Sequence, residues 1–596
     1  TIKACYLDQD NKIPVPDLYA YEGVPQHMPD PALGSHSLLG LRDDVCFDRF
    51  GRYGPYGLGY RKEKGGSGVG LDTESSGNED VWAHSGQVDY SSMDWGDAQE
   101  RCLKANSHRF LHQEQQTTDK ATDRVAVVLR LFTGYKWTEL AKLNLRAMVS
   151  ELSLKSGGEY SVHLLLHARD KNLPIWTDEL AMKELLDSNV PREFHGLVTV
   201  WSDAQIRLFY PGAFEKSLED PSEKDVLGVY RSAHMPLQLF ARQHPGYEHY
   251  WNWEMDMRVL GSYYELLDRI GQWTRDQQRR LLWERSARYY IPAYHGSWDN
   301  FSTSVQLDTA QSGREPVFGP VPYAKRKMLQ YERRGKPVLP ASCAQDQDQK
   351  KCGVGEPADL ITLNPIFDPE ESNWVFANDV TGYADASPSN PPRRTSIITA
   401  SRMSRRLLET MHEETWRHHR TMFTEMFPAT VALHHGFKAS YAPHPVLLER
   451  AWQPIGSELD AALNGGRDHS TSGKGGPFAM RNEHNHHGSS WYYNSQFAGR
   501  LWRRWLGYAQ MHERQPEAGE RSTTDEVEEK GGFVEETSEQ GSGRMCLRSV
   551  LLHPIKYERP LEKEVVARKK DQKNDLISAA RFDRRLQLNR KGTGLV

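Results

Sequence analysis

No apolar stretch in this sequence approaches the ~18 residues that a membrane-spanning helix requires. The longest dense run is Val125-Ala126-Val127-Val128-Leu129. Cysteine is scarce, with six in 596 residues and no Cys-x-x-Cys pair, so a thiolate zinc site has no foothold. Positive charge is not in excess either: 75 Lys and Arg against 80 Asp and Glu give a net charge of −5. A general nucleic-acid binder needs the opposite balance, and no nucleic-acid partner is expected. Internal repeats are lacking. Hydrophobic residues make up only 38% of the chain, yet 16 Trp, 26 Tyr and 19 Phe exclude a mainly disordered polymer. The length allows one large elaborated domain or several smaller ones.

The six cysteines are an even number. Cys343 and Cys352 flank a short polar loop that is easily bridged in an oxidising compartment, while Cys5, Cys46, Cys102 and Cys546 are scattered and their pairing stays open. One glycosylation sequon, Asn300-Phe301-Ser302, lies in an aromatic-polar stretch. Together these favour the secretory lumen. The chain opens Thr-Ile-Lys without an initiator Met, which fits a processed chain from which a signal or N-terminal membrane anchor has been removed.

Residues 1–120 read as an irregular segment, rich in Pro, Gly, Asp and Tyr, that wraps a core. Glycines 66, 68 and 70 invite a phosphate-loop reading, but Tyr-Arg-Lys-Glu-Lys precedes them where a hydrophobic strand should stand, so a Gly/Ser linker is expected. The pattern changes at Arg124. Val125–Phe132 has strand length. Trp137, Ala141, Leu145, Met148 and Leu152 recur at helical spacing until Ser156-Gly157-Gly158 stops them. Tyr160–His167 is a second strand, Thr177 caps a helix through Leu186, and Gly196–Trp201 is a third strand. This alternation predicts an α/β fold with a mostly parallel central sheet flanked by helices. Ligands of such sheets bind beyond the carboxyl ends of the strands, here Arg130–Lys136 and His167–Asp170.

Further along, Ser262–Tyr290 reads as helical, Asp359–Phe367 as a strand, Thr395–Phe427 as a long helical stretch and Ala429–Leu433 as strand-like. Asn464–Ser490 and Arg514–Gly543 read as low-complexity loops, longer than compact domains tolerate unless mobile. The expected organisation is a core at 121–512 with C-terminal helices wrapping around it, an acidic loop at 513–545 and a basic C-terminal tail at 546–596.

The segment Tyr247-Glu-His-Tyr-Trp-Asn-Trp-Glu-Met-Asp-Met-Arg258 carries the clearest chemistry. On an extended backbone Glu254 and Asp256, at i and i+2, share one face. Both can then meet one divalent ion, and hard oxygen ligands suit Mg²⁺ or Mn²⁺. The plainer alternative is salt bridging to Arg258 and neighbouring arginines. Met411-His-Glu-Glu-Thr-Trp-Arg-His-His419 resembles a zinc-protease helix, but position 416 is Trp where His is required. Glu413 or Glu414 could still act as a general base or touch an acceptor, against the plainer reading of a solvated helix face. Asn485-His486-His487 reads as a solvated loop. Tyr289–Trp298 and Ser490-Trp-Tyr-Tyr-Asn494 could wall a sugar site, since aromatic faces pack on sugar C–H faces, although core packing explains most aromatics.

Two resemblances add to this reading. The order Arg124–Arg130, helix, Tyr160–Asp170, then His244-Pro-Gly-Tyr-Glu-His-Tyr-Trp-Asn-Trp-Glu-Met-Asp256 resembles fungal Golgi α-mannosyltransferases, with Met255 departing from that family's proline. Over more of the chain, Cys46-Phe-Asp-Arg-Phe-Gly-Arg-Tyr-Gly-Pro-Tyr-Gly57, Ser156-Gly-Gly-Glu-Tyr160, Trp253–Arg258, Tyr441-Ala-Pro-His-Pro445 and Ser490–Ser495 resemble the fungal domain-of-unknown-function family numbered 3405. Its similarity to GT-A-type nucleotide-sugar transferases implies a GT-A-like fold. It also implies transfer of a hexose, mannose among the candidates, from a nucleotide-sugar to a glycan or glycoprotein, with Golgi localisation. On that resemblance Arg130 and Lys136 would hold the nucleotide, Asp170 the base or ribose, and Glu254 and Asp256 the metal. A late histidine, His434, His435 or His444, would complete the metal shell. A metal-dependent hydrolase and a non-catalytic carbohydrate-binding scaffold are the alternatives.

Overall fold

A strand with no polar alternation must be covered on both faces, and Val125–Phe132 (β1) is such a strand. In the computed structural model it runs through the interior of a seven-stranded sheet, with Val125–Leu129 buried. The structure describes residues 1–558 except 27, 72–77, 111–120, 212–221, 223–224, 227–229, 322, 324–338, 341–342, 344–349, 384–389, 450–451, 509–510, 514–525, 529–535, 537–538 and 540–542. Thr138 caps the helix Glu139–Met148 (α1), which unwinds into π-helical turns at Val149–Leu154. Gly157 and Gly158, at φ of 64° and 84°, then reverse the chain into Tyr160–His167 (β2). Asp178, rather than the expected Thr177, caps Glu179–Asn189 (α2), and Val198–Trp201 (β3) follows.

His234–Gln243 (α3) returns the chain to His249–Glu254 (β4), which pairs parallel to β1 with Arg130 opposite Glu254. After the helix Tyr263–Asp276 (α4), the sheet is completed by Leu360–Thr362 (β5), Ser401–Ser404 (β6) and Ala439–Tyr441 (β7). The order across the sheet is β3-β2-β1-β4-β6-β5-β7, with β6 alone antiparallel to its neighbours. The α/β class and mostly parallel sheet are therefore as the alternating pattern predicts.

Three expectations fail, each for a physical reason. Thr395–Phe427 is not one helix. Its first half supplies β6, an interior strand paired on both edges whose buried Ser401, Arg402 and Ser404 give it no apolar strand pattern, and only Arg405–His418 (α5), capped by Ser404, is a long helix. Ala429–Leu433 is not a strand but the middle of the helix Phe427–His435 (α6), ended by Gly436 at φ 72°. A helix buried on every side shows no apolar period, so short apolar runs do not separate the two states. Residues 464–490 are irregular but packed, with Asn464, Thr471, Phe478 and His486 buried, so the solvated-loop reading of His486 is also wrong.

The N-terminal segment is only partly irregular, with helices at Arg49–Tyr53 and Trp95–Ala105. It is fastened to the core by a buried ion pair. Arg52 Nη1 lies 2.6 Å from Glu151 Oε1 in the π-helical turns, and Arg52 Nε donates to the Val259 carbonyl at 3.0 Å. Tyr56 and the Tyr263 amide also donate to Glu151, at 2.9 and 2.8 Å. Disulfides join Cys5–Cys102, Cys46–Cys546 and Cys343–Cys352, the last as expected. The chain falls into two units: residues 1–497 with 546–554, and 498–545 with 555–596. The N-terminal segment and residues 546–554 thus belong with the sheet-bearing unit. The acidic loop and basic tail lie largely outside the described residues. No helix among the described residues is long and apolar enough to cross a membrane.

Removing one partner of a buried pair strands the other charge, at a cost of about 3–5 kcal/mol. Glu151→Ala should therefore lower the thermal midpoint by several degrees. Asp187→Ala, which breaks the exposed Lys183–Asp187 pair, should leave it unchanged. Equal midpoints for the two variants in a calorimetric scan would show that Arg52–Glu151 does not fasten the segment.

Candidate metal centre

β4 brings the acids to the carboxyl edge of the sheet. Its backbone stays extended as far as Glu254, then turns, and Arg258–Val259 pairs antiparallel with Leu551–Leu552. In that register Leu552 faces Arg258, so the next residue, His553, arrives beside the turn that holds Asp256. His553 Nε2 lies 3.4 Å from both Glu254 Oε2 and Asp256 Oδ1. One ligand atom from each of the three residues lies within 4.8 Å of the others. The imidazole is 2% exposed, and neither ring nitrogen makes a well-formed hydrogen bond. A buried imidazole aimed at two carboxylate oxygens without bonding geometry to either suits a cation held among the three.

The Glu254 carboxylate is divided between two tasks. Its Oε1 accepts from Arg130 Nη2 at 2.7 Å and from the Thr399 hydroxyl at 2.6 Å. That leaves Oε2 turned toward Asp256 and His553. The predicted acid pair is thus brought together, but Arg130 steadies a carboxylate instead of standing open for a nucleotide.

The charges of the three residues are coupled. Burial raises the Glu254 carboxyl, but Arg130 and His553 outweigh it and hold it down at about 2. Burial disfavours the His553 cation, but Asp256 and Glu254 push it up to about 9.

A second group of carboxyls adjoins the first. Ile398, β-branched and held at φ 73°, donates its amide to Glu425 Oε1 at 2.6 Å, one residue before Thr399 reaches Glu254. A β-branched residue in the left-handed region is a true outlier. Burial first, then the charges of Glu254 and Glu483, push the Glu425 carboxyl up to about 8. Glu483 accepts from the hydroxyls of Tyr492 and Tyr493, each at 3.1 Å. Tyr493 is 44% exposed, and Tyr230, 51% exposed, packs on Phe376 and Phe423. The Ser490–Asn494 wall is therefore partly open, whereas Tyr289 is buried against Phe478 and His486.

Other expected site residues lie elsewhere. His434 is buried on Tyr323 with Nε2 2.6 Å from the Pro392 carbonyl, and burial drives its imidazole down to about 3. His435 Nε2 sits 3.0 Å from Glu414 Oε1, and His444 Nε2 sits 3.0 Å from the Leu363 carbonyl. None of the three joins the acid pair; among the described residues only Glu254, Asp256 and His553 bring three such donors together. Glu414 is buried between His435, Arg420 and Tyr323, so it stabilises α5 instead of meeting an acceptor. Glu413 is half-buried on the same helix and does not join the cluster. Lys136 is exposed in the turn after β1. Asp170, exposed after β2, accepts from the Asn172 amide at 2.9 Å. Sequence reasoning missed His553, Thr399, Glu425 and Glu483. The one available signal was the apolar Val550-Leu551-Leu552 run ending in His553-Pro554.

A family model described as "Protein of unknown function (DUF3405)" matches residues 46–557. No curated protein matches the chain.

In metal-free protein the signs define a window. A raised His553 contributes fully below the ordinary histidine value of 6.5 and loses its contribution as pH rises through about 9. A lowered Glu254 contributes fully above 4.5 and loses it as pH falls toward about 2. The thermal-midpoint difference between the native chain and His553→Ala, measured in chelator, should be largest between pH 4.5 and 6.5 and shrink by pH 9. A difference that grows with pH would contradict the charged-histidine geometry.

Proposed function

We propose, since the chain belongs to the DUF3405 family of proteins of unknown function, that it is a metal-assisted glycosyltransferase moving a hexose from a nucleotide-sugar to a glycan or glycoprotein. The observation that carries this reading is the convergence of Glu254 Oε2, Asp256 Oδ1 and His553 Nε2 at the carboxyl edge of a mostly parallel sheet. Ligands of such sheets bind at that edge. A Mn²⁺ or Mg²⁺ ion held by these residues would neutralise charge developing on the leaving diphosphate. Carboxylate oxygens suit either ion, and the imidazole, a softer ligand, tilts the choice toward Mn²⁺.

The chain's own residues would divide the remaining work. Arg130 and Thr399 fix Glu254 so that one oxygen stays presented, a positioning role in place of the nucleotide contact expected from sequence. Lys136 and Asp170, on the turns after β1 and β2, remain the candidates for nucleotide phosphate and ribose. On the other side, Tyr493 and Tyr230 offer half-exposed rings to the C–H face of an acceptor sugar, and Glu483 and Glu425 offer oxygens to its hydroxyls. Complete pairing of the cysteines favours the secretory lumen, with the Golgi as the compartment implied by the mannosyltransferase resemblance.

The test is nucleotide release from a panel of nucleotide-sugars, GDP-mannose included, with and without Mn²⁺ and oligomannose acceptors. Release should require both metal and acceptor. An ion that stabilises the transition state contributes several kcal/mol, so Glu254→Gln and Asp256→Asn should each lower the rate by about 100-fold or more. Metal-independent turnover unchanged in both variants would overturn the assignment. Release without acceptor and without nucleotide preference would identify a hydrolase instead.

A further inference from the structure

The sequon Asn300-Phe301-Ser302 is the only Asn-x-Ser/Thr in the chain, and the folded structure separates its three residues sharply. Phe301 is fully buried and anchors the helix Trp298–Ser312 in a small satellite core with Tyr290 and Val305, packed by Leu38 and Trp298. Asn300 is exposed in the first turn of that helix, and Ser302 is half-buried. The Asn300 backbone amide is taken by its cap, Ser297 Oγ, at 3.2 Å. Its side-chain carboxamide has no hydrogen-bond partner among the described residues. Asp299 and Thr303 beside it on the helix are exposed, and Tyr294 just before the helix is 53% exposed. A bulky group on the Asn300 side chain therefore displaces no packed side chain. The first turn of a helix also frays most readily, so the motif can be presented in extended form.

An independent feature points to the compartment in which such a group is added. All six cysteines are paired, and one disulfide joins residues 500 positions apart. Disulfides of this kind form and persist in the oxidising lumen of the secretory pathway, where Asn-x-Ser/Thr acceptors are read.

We propose that Asn300 is N-glycosylated. The donor is a lipid-diphosphate-linked oligosaccharide acted on by a separate transferase. The Asn300 side-chain nitrogen forms a bond to the anomeric carbon of the first sugar, the bond from that carbon to the diphosphate oxygen breaks, and the diphosphate leaves with the electron pair. The carboxamide gives one proton to the base of that transferase. This assignment does not depend on the activity proposed for the metal centre, because Asn300 is an acceptor for another enzyme.

The experiment is intact-mass spectrometry of the full chain secreted from a eukaryotic host, before and after peptide N-glycosidase treatment. The native chain should carry at least a core pentasaccharide, removed by the glycosidase with conversion of the Asn300 carboxamide to an acid. Asn300→Gln and Ser302→Ala should each abolish the shift, and Ser302→Thr should retain it. The Ser302 pair decides the matter even where Asn300→Gln is not secreted, since both keep Asn300 and differ only in the hydroxyl of the motif. An unshifted native mass, or a shift that survives Ser302→Ala, overturns the proposal.

Discussion

Two half-buried carboxylates brought within a few ångströms of each other repel unless positive charge stands beside them. Glu254 and Asp256 are in that position, and much of the surrounding architecture answers the repulsion. Arg130 reaches Glu254 from the adjacent strand, in a register fixed by parallel pairing of β1 with β4. His553 reaches both acids from a segment that rejoins the sheet unit near its end. The arginine satisfies one oxygen of Glu254 and leaves the other facing His553. In metal-free protein Arg130 and a protonated His553 balance the two carboxylates, and a divalent cation would take the place of the histidine's proton.

The loop before β6 extends the same arrangement. Ile398 at φ 73° places consecutive donors, its own amide and the Thr399 hydroxyl, on Glu425 and Glu254. A β-branched residue in that conformation stores on the order of 1–3 kcal/mol of strain and persists only where its surroundings over-determine it. Here both neighbouring carboxylates do so, which ties the geometry of the second acid group to that of the first.

What could be read from sequence follows from which signals are local. β1, β2 and the acid pair were legible because strand length, apolar density and i, i+2 spacing lie within a few residues. The joining of Arg130 to Glu254 was not, since pairing register between distant strands leaves no local trace. Glu413 and Glu414 drew attention through their resemblance to a protease helix, but exposure cannot be inferred from a motif, and Glu414 proves to be walled in by His435, Arg420 and Tyr323. His434 and His435 attracted notice because Ala429–Leu433 read as a strand, and as a helix it directs them into packed surroundings. His553 escaped notice because its role depends on a backbone pairing of Leu551–Leu552 with Arg258–Val259, two segments far apart in sequence.

The Cys46–Cys546 bond and the strand that follows it carry a consequence for how such a chain can diverge. Between Phe497 and Cys546 the polypeptide leaves the sheet-bearing unit and comes back, and the return is stapled before His553 is delivered. Because closure entropy grows only slowly with contour length, about 0.6 kcal/mol per doubling, the excursion can lengthen, shorten or acquire a new module at little thermodynamic penalty. The staple thus uncouples an evolvable appendage from the chemistry beside it, making this the natural grafting point of the architecture.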